Sequence, residues 1–156
     1  MALTERDTRT QLIDPMLAAA GWLPSQIEEE YVYRPGKLRL LGEQTVRDDP
    51  QFVDYALRAE ARGPILAALE AKDESHSPGA GLQQALAYAF DVSAPFALST
   101  NGHEIVEQDL RNGAVRRLKE FPTAAELLSR WESTEPWRGE TVNTPRGLSV
   151  PNRLLQ

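Results

Sequence analysis

The chain has 156 residues, a formal net charge of −6, a pI near 5.0 and no cysteine. Its length suits one domain with a real core, burying roughly 68–70% of the surface its unfolded chain exposes, and its 41% apolar and 26% charged residues are those of an ordinary soluble globular protein. The missing cysteines exclude disulfides, thiolate zinc sites and a cysteine nucleophile and fit a reducing cytoplasm, while the acidic balance opposes a simple basic footprint for nucleic acid.

Residues 4–20 carry helical spacing. Leu12, Ile13, Met16, Leu17 and Ala20 recur on one side, Thr4-x-x-Asp7 opens the segment as a capping-box variant, and Gly21 closes it. Asp14-Pro15 interrupts the pattern, which predicts a kink or a restart with Asp14 as N-cap. Between Trp22 and Arg34, Pro24-Ser25-Gln26 suits a turn of helix and Tyr31-Val32-Tyr33 a short strand near 30–34. Pro35-Gly36 signals a turn, and 37–50 is expected to be irregular apart from an extended piece at Leu38–Leu41.

Gln51–Arg58 and Ile65–Lys72 read as strands, joined by a hairpin turn through Ala59-Glu60-Ala61-Arg62-Gly63-Pro64. A polar loop over Asp73–Gly81 contains the helix-start signal Ser77-Pro78, and Leu82–Asp91 continues as helix. Phe96–Thr100 is a strand, Asn101-Gly102 a tight turn and Glu104–Asp109 its partner; Asn112-Gly113 turns the chain again into Val115–Leu118. Thr123-x-x-Glu126 caps a last helix ending near Trp131. From Ser133 onward Pro136, Pro145 and Pro151 punctuate a polar segment, so residues 1–132 are expected to form the domain and 133–156 a tail or linker. The N-terminus is charged at once and no run approaches the ~20 apolar residues of a membrane span. A cytoplasmic protein with no membrane partner is expected.

Within this layout lie Asp54, the triplet Glu70-Ala71-Lys72, and Gln84 with Tyr88. If the two strands pair antiparallel, Asp54 and Glu70 fall opposite each other on one face, where two carboxylates can hold a hard divalent cation that prefers oxygen ligands and keeps several waters. Such an ion polarises a phosphate and lowers the pKa of bound water. Lys72, two residues after Glu70 and on the same strand face, lies within reach of the attacking water or the scissile phosphate. Gln84 and Tyr88, four apart on the following helix, share a face. Each feature has a dull explanation by itself. A Glu-x-Lys triplet arises by chance about once per 250 residues, a surface ion pair is worth little, and Asp54 could face solvent on an edge strand. Only two histidines exist, His76 and His103, and neither has the setting of a nucleophile elbow.

The run Asp54, Glu70-Ala71-Lys72, Gln84-x-x-x-Tyr88 resembles the PD-(D/E)xK nuclease motif with its accompanying Gln-x-x-x-Tyr element. More narrowly, the chain is similar to the N-terminal nuclease domain of the R subunit of type I restriction enzymes. The supporting stretches are Thr8-Arg9, Leu12-Ile13-Asp14-Pro15, Ala20-Gly21-Trp22, Leu69–Lys72, Gly81-Leu82-Gln83-Gln84-Ala85 with Tyr88-Ala89, Ser99-Thr100-Asn101-Gly102 and Phe121-Pro122, covering roughly residues 5–131. The position before Asp54 is Val53 rather than the motif's proline.

The resemblance implies an α/β (α+β) restriction-endonuclease-like core, a mixed central β-sheet flanked by helices. It implies a Mg²⁺-dependent endonuclease acting on double-stranded DNA, with Asp54 and Glu70 as metal ligands, the Ala71 backbone carbonyl as a third and Glu5 as an added carboxylate; Mn²⁺ would substitute. Lys72 would position or activate the water and stabilise developing charge, and Gln84 and Tyr88 would line the site. Family subunits carry a helicase-like motor after this domain, whereas this sequence has no Gly-x-x-x-x-Gly-Lys-Ser/Thr loop. ATP binding is therefore not expected here, and partner motor, modification and specificity subunits or domains are. The 156 residues are expected to be an excised domain, a truncated product or a free-standing relative, with weak or absent autonomous cleavage. Two alternatives stand beside this: a catalytically silent module docking motor and modification subunits through its acidic surface, and a nuclease for RNA or single strands using a basic strip of His103, Arg111, Arg116, Arg117 and Lys119.

Overall fold

A computed structural model of the protein describes residues 2–34, 38–47 and 51–133. The N-terminal helix has three contiguous pieces, α1 (Glu5–Thr8), a π-helical turn (Arg9–Ile13) and α2 (Asp14–Ala19). Thr4 caps it, its hydroxyl accepting the Asp7 N–H at 3.1 Å, and Gly21 ends it at φ +87°. Asp14-Pro15 does not restart the helix, because Asp14 is itself helical at φ −58°, ψ −44°. Pro15 lacks an N–H, and its ring crowds the carbonyl one turn earlier. The backbone responds by widening that turn, so that the Asp14 N–H bonds the Arg9 carbonyl five residues back.

Strand β1 (Ile27–Arg34) starts three residues before the predicted 30–34. The Gln26 side chain accounts for this: its carbonyl accepts the Leu23 N–H at 2.9 Å and its amide donates to the Ala59 carbonyl at 2.8 Å. That clasp holds the 3-10 turn Pro24–Gln26 and delivers Ile27 straight into pairing with Leu57. The predicted extended piece is β2 (Leu38–Leu41), but residues 44–47 are not irregular as expected. They form β3 (Gln44–Arg47), antiparallel to β2 across Gly42-Glu43, with Gly42 at φ +66°. The expected turn at Pro35-Gly36 lies outside the described residues, as does the tail beyond Ser133.

The other strands are β4 (Gln51–Arg58), β5 (Ile65–Ala71), β6 (Phe96–Thr100), β7 (Ile105–Asp109) and β8 (Val115–Leu118), and the remaining helices α3 (Leu82–Val92) and α4 (Ala124–Glu132). Six strands make one sheet in the order β1-β4-β5-β6-β7-β8. All neighbours are antiparallel except β5 and β6, which are parallel because α3 crosses between them. The predicted two-residue turn at Asn101-Gly102 is a four-residue loop, since Thr100 pairs with Ile105. The Asn101 carboxamide oxygen accepts the His103 and Glu104 N–H groups and so widens the turn.

Helices cover both faces. On one, Ala85, Tyr88 and Ala89 of α3 pack on Val53, Ala56, Ala68 and Ala97, small residues that let the helix sit close. On the other, Ile13, Leu17 and Trp22 join Leu127 of α4 over Tyr55, Leu57, Leu69, Phe96 and Leu98. The Trp22 indole N–H donates to the Pro122 carbonyl at 2.9 Å, tying the two helical regions together. This is the mixed sheet between helices that the sequence implies. No helix among the described residues is long and apolar enough to cross a membrane.

The basic strip is spent within the fold. Glu107, 1% exposed, takes paired hydrogen bonds from Arg116 and Arg130, and Arg111 grips the nearly buried Asp109. Burial would raise the Glu107 pKa, but the two guanidinium groups outweigh it and hold the carboxyl below its ordinary value. Arg117 and Lys119 meet Glu104, and His103 meets Glu74. Every member of the predicted strip thus has a carboxylate against it, which disfavours an open phosphate track.

Candidate active site

The β4–β5 ladder runs Leu57↔Ala67, Ala56↔Ala68, Tyr55↔Leu69 and then opens. One step further, Asp54 and Glu70 stand opposite each other, and their side chains take the place of the next rung. The Ala71 N–H donates to Asp54 Oδ2 at 2.8 Å. The Glu70 carboxyl is hydrogen-bonded to both the side chain and the backbone N–H of Asp54. The expected opposition is therefore present.

Placing two carboxylates this close in a shielded position has an electrostatic cost. Glu70 is 7% exposed. Burial, then its hydrogen bond to Asp54 and the charge of Asp54, push its pKa up to about 9, against a smaller downward pull from Lys72. Burial and the neighbouring carboxylate therefore favour the protonated form of Glu70 in the cation-free site.

Lys72 follows the end of β5, where its N–H donates to the Thr100 carbonyl at 2.9 Å. Its side chain passes the start of α3 close to Gly81, as does that of Glu70. A methyl group on Gly81 would stand 2.8 Å from Glu70 Cβ, 3.1 Å from Ser99 Oγ and 3.4 Å from Lys72 Cε. The Gly81 N–H donates to Ser99 Oγ at 2.9 Å, and Ser99 is the register partner of Glu70 on β6. Gly81 and Ser99 together set how closely α3 approaches the acidic pair.

Other predicted residues are placed less directly. Gln84 is exposed in the first turn of α3. Tyr88, one turn on, is fully buried with its ring edge-on to Tyr31 at 6.2 Å. Ala71 is buried beside the pair and gives its N–H to Asp54. Glu5 is exposed in the first turn of α1, and among the described residues no group of three or more Asp, Glu or His gathers as a metal-holding cluster. The donor set at the pair is carboxylate oxygen alone, which suits a hard divalent cation that keeps water in its remaining positions.

Arg9 is the site residue whose role the sequence pattern did not reveal. Its guanidinium lies 3.8 Å from Asp54 Oδ1, and it donates to the Asp54 carbonyl at 3.5 Å and to the Tyr55 hydroxyl at 3.4 Å. No local spacing links positions 9 and 54, so only the packed structure discloses the contact.

A six-stranded, mostly antiparallel sheet between helices, with opposed carboxylates on adjacent strands and a lysine beside them, is a restriction-endonuclease-like α+β fold. No family model matches the chain. It is 33% identical over 146 residues to the endonuclease subunit of the type I restriction enzyme EcoAI from Escherichia coli, an alignment covering 89% of this chain and 18% of that subunit. It is also similar to a solved fragment assigned to the HsdR subunit of a type I restriction enzyme from Vibrio vulnificus YJ016, at a TM-score of 0.77 and 38% identity, over 83% of this chain and 25% of that one. The chain is a homologue of the endonuclease (HsdR) subunits of type I restriction enzymes, and it spans about a fifth of the length of the curated relative it matches.

Proposed function

We propose that this domain is the DNA-cleaving part of a type I restriction system, hydrolysing phosphodiester bonds in double-stranded DNA with Mg²⁺ or Mn²⁺. The observation that carries the reading is the replacement of a sheet rung by Asp54 and Glu70 beside Lys72, in a chain homologous to endonuclease subunits. Asp54 and Glu70 would hold the ion, with the Ala71 carbonyl as a third ligand. When bound, such an ion polarises the phosphate and lowers the pKa of the water it holds. Glu70 would release its proton to solvent for such an ion to bind, and the Lys72 ammonium would orient the attacking water and meet charge developing on the phosphate. Gln84, exposed in the first turn of α3, would meet the DNA, and buried Tyr88 anchors α3 on the sheet.

The paired state of Arg111, Arg116, Arg117 and Lys119 leaves little free positive charge on that side for a phosphate backbone. Grip on DNA, and the ATP-driven motor, then belong to other parts of a cytoplasmic complex with modification and specificity subunits. The test is cleavage of plasmid DNA by the assembled complex. Asp54→Ala and Lys72→Ala should each lower the Mg²⁺-dependent rate by about 10²-fold or more. Wild-type rates in either variant would sink the proposal.

A further inference from the structure

We infer that Arg9 is a positioning residue that fixes the Asp54 carboxylate for cation binding, acting from the N-terminal helix on the opposite element of the fold. The inference rests on the metal-site reading of Asp54 and Glu70 and adds a residue to it.

Asp54 is anchored at three points. Oδ2 takes the Ala71 N–H at 2.8 Å. Oδ1 faces Arg9 Nη1 at 3.8 Å, and the Asp54 carbonyl accepts from Arg9 Nη2 at 3.5 Å. One guanidinium therefore addresses both the side chain and the main chain of the same residue, as only a planar fork with several N–H groups can.

Arg9 is itself held. Its side chain is 16% exposed, the guanidinium carbon lies 4.9 Å from the centre of the Tyr55 ring, and Nε donates to the Tyr55 hydroxyl. That hydroxyl donates onward to Asp14 Oδ1 at 2.7 Å, and Arg9 Nη2 also lies 3.6 Å from Glu29. Glu29, and the Tyr55 ring and hydroxyl, whose own partner is Asp14, keep the guanidinium in place when Asp54 exchanges partners. Asp54 thus meets an incoming cation with its orientation already set, which lowers the ordering cost of binding.

Simple electrostatics predicts the opposite effect. A cation beside Asp54 repels a second cation, so removing the Arg9 charge should tighten metal binding if charge were all that mattered. Positioning predicts that removal weakens it.

The experiment uses the 156-residue chain, with folding of each variant checked by circular dichroism. Mn²⁺ binding is measured by calorimetry, and exchange of the Ala71 amide in the metal-free protein by NMR. Arg9→Lys, which keeps the charge without the fork, should weaken Mn²⁺ binding about tenfold and speed exchange of the Ala71 amide about tenfold, with the Leu69 amide unchanged. Arg9→Met should do at least as much. Mn²⁺ affinity equal to or tighter than wild type in a folded variant, or unchanged Ala71 exchange, overturns the inference. Asp54→Ala separates the two levels: if it binds Mn²⁺ like wild type, or wild type binds none, the metal-site reading fails. The Ala71 amide still decides the role of Arg9 in that case.

Discussion

Ala71 donates its backbone N–H to Oδ2 of Asp54 rather than to a carbonyl on the neighbouring strand. A single carboxylate therefore completes the sheet and lines the candidate active site. Structural and chemical roles are joined in one side chain, and substitutions can separate them.

Asp54→Asn keeps an oxygen that can accept the Ala71 N–H, so it should fold with stability within about 0.5 kcal/mol of wild type while losing most of its affinity for Mn²⁺. Asp54→Ala leaves that buried donor without an acceptor and should cost a further ~1–3 kcal/mol. Denaturant titrations of both variants, set against calorimetric Mn²⁺ titrations, check the separation. Equal stability losses in the two would show that the hydrogen bond contributes nothing.

Glu70 makes stability depend on pH in an unusual direction for a carboxyl group. Its folded pKa is raised from an ordinary 4.5 to about 9. The protonated form is favoured by folding, so the contribution is fully present below about 4.5 and is lost as pH rises toward 9. Melting of the cation-free protein should therefore shift downward between pH 5 and 9. Glu70→Gln, which cannot ionise, should remove that slope, and Mn²⁺ should restore stability to the wild type at pH 8 but not to the glutamine variant. Parallel slopes in wild type and variant would rule the mechanism out.

Gly81→Ala introduces a methyl group 2.8 Å from Glu70 Cβ, a separation that forces something to move. Overpacking of this kind costs about 1–3 kcal/mol. Because the displaced groups are Glu70, Ser99 and Lys72, cleavage should fall by more than the stability loss explains. Cleavage by the complex at a temperature where the variant stays fully folded is the relevant measurement; a wild-type rate there would show that the spacing is slack.

Much of the fold was legible because periodic apolar residues and turn signals agreed locally. The hairpin β4–β5, the crossover helix α3 and the Thr123 cap follow from patterns a few residues long, and the opposition of Asp54 and Glu70 follows from one antiparallel register. What escaped had distant causes. Strand β1 begins early because Gln26 bonds to Ala59, and its three consecutive glutamates, Glu28 to Glu30, conceal any strand propensity. Strand β3 has no alternating apolar run to announce it. The Asn101 loop is wide because of side-chain bonds that the turn signal does not encode. The closeness of α3 to the acidic pair depends on Gly81 meeting Ser99, which no spacing rule predicts.

The π-helical turn at Arg9–Ile13 has a consequence for how the N-terminal helix is phased. Downstream, Ile13 and Leu17 face the apolar side of the sheet. Upstream, Thr8 is buried against the loop at Gly102 and Arg9 reaches the strand that carries Asp54. A regular α-helix turns about 100° per residue, and the one extra residue in the wide turn brings both sets into register with their separate targets. Removing a residue between Thr10 and Leu12 would regularise the helix and leave its hydrophobic anchorage intact, while swinging Arg9 about a quarter-turn away from Asp54. The helix is thus a rotational coupling, with its setting fixed by the proline that has no N–H to donate.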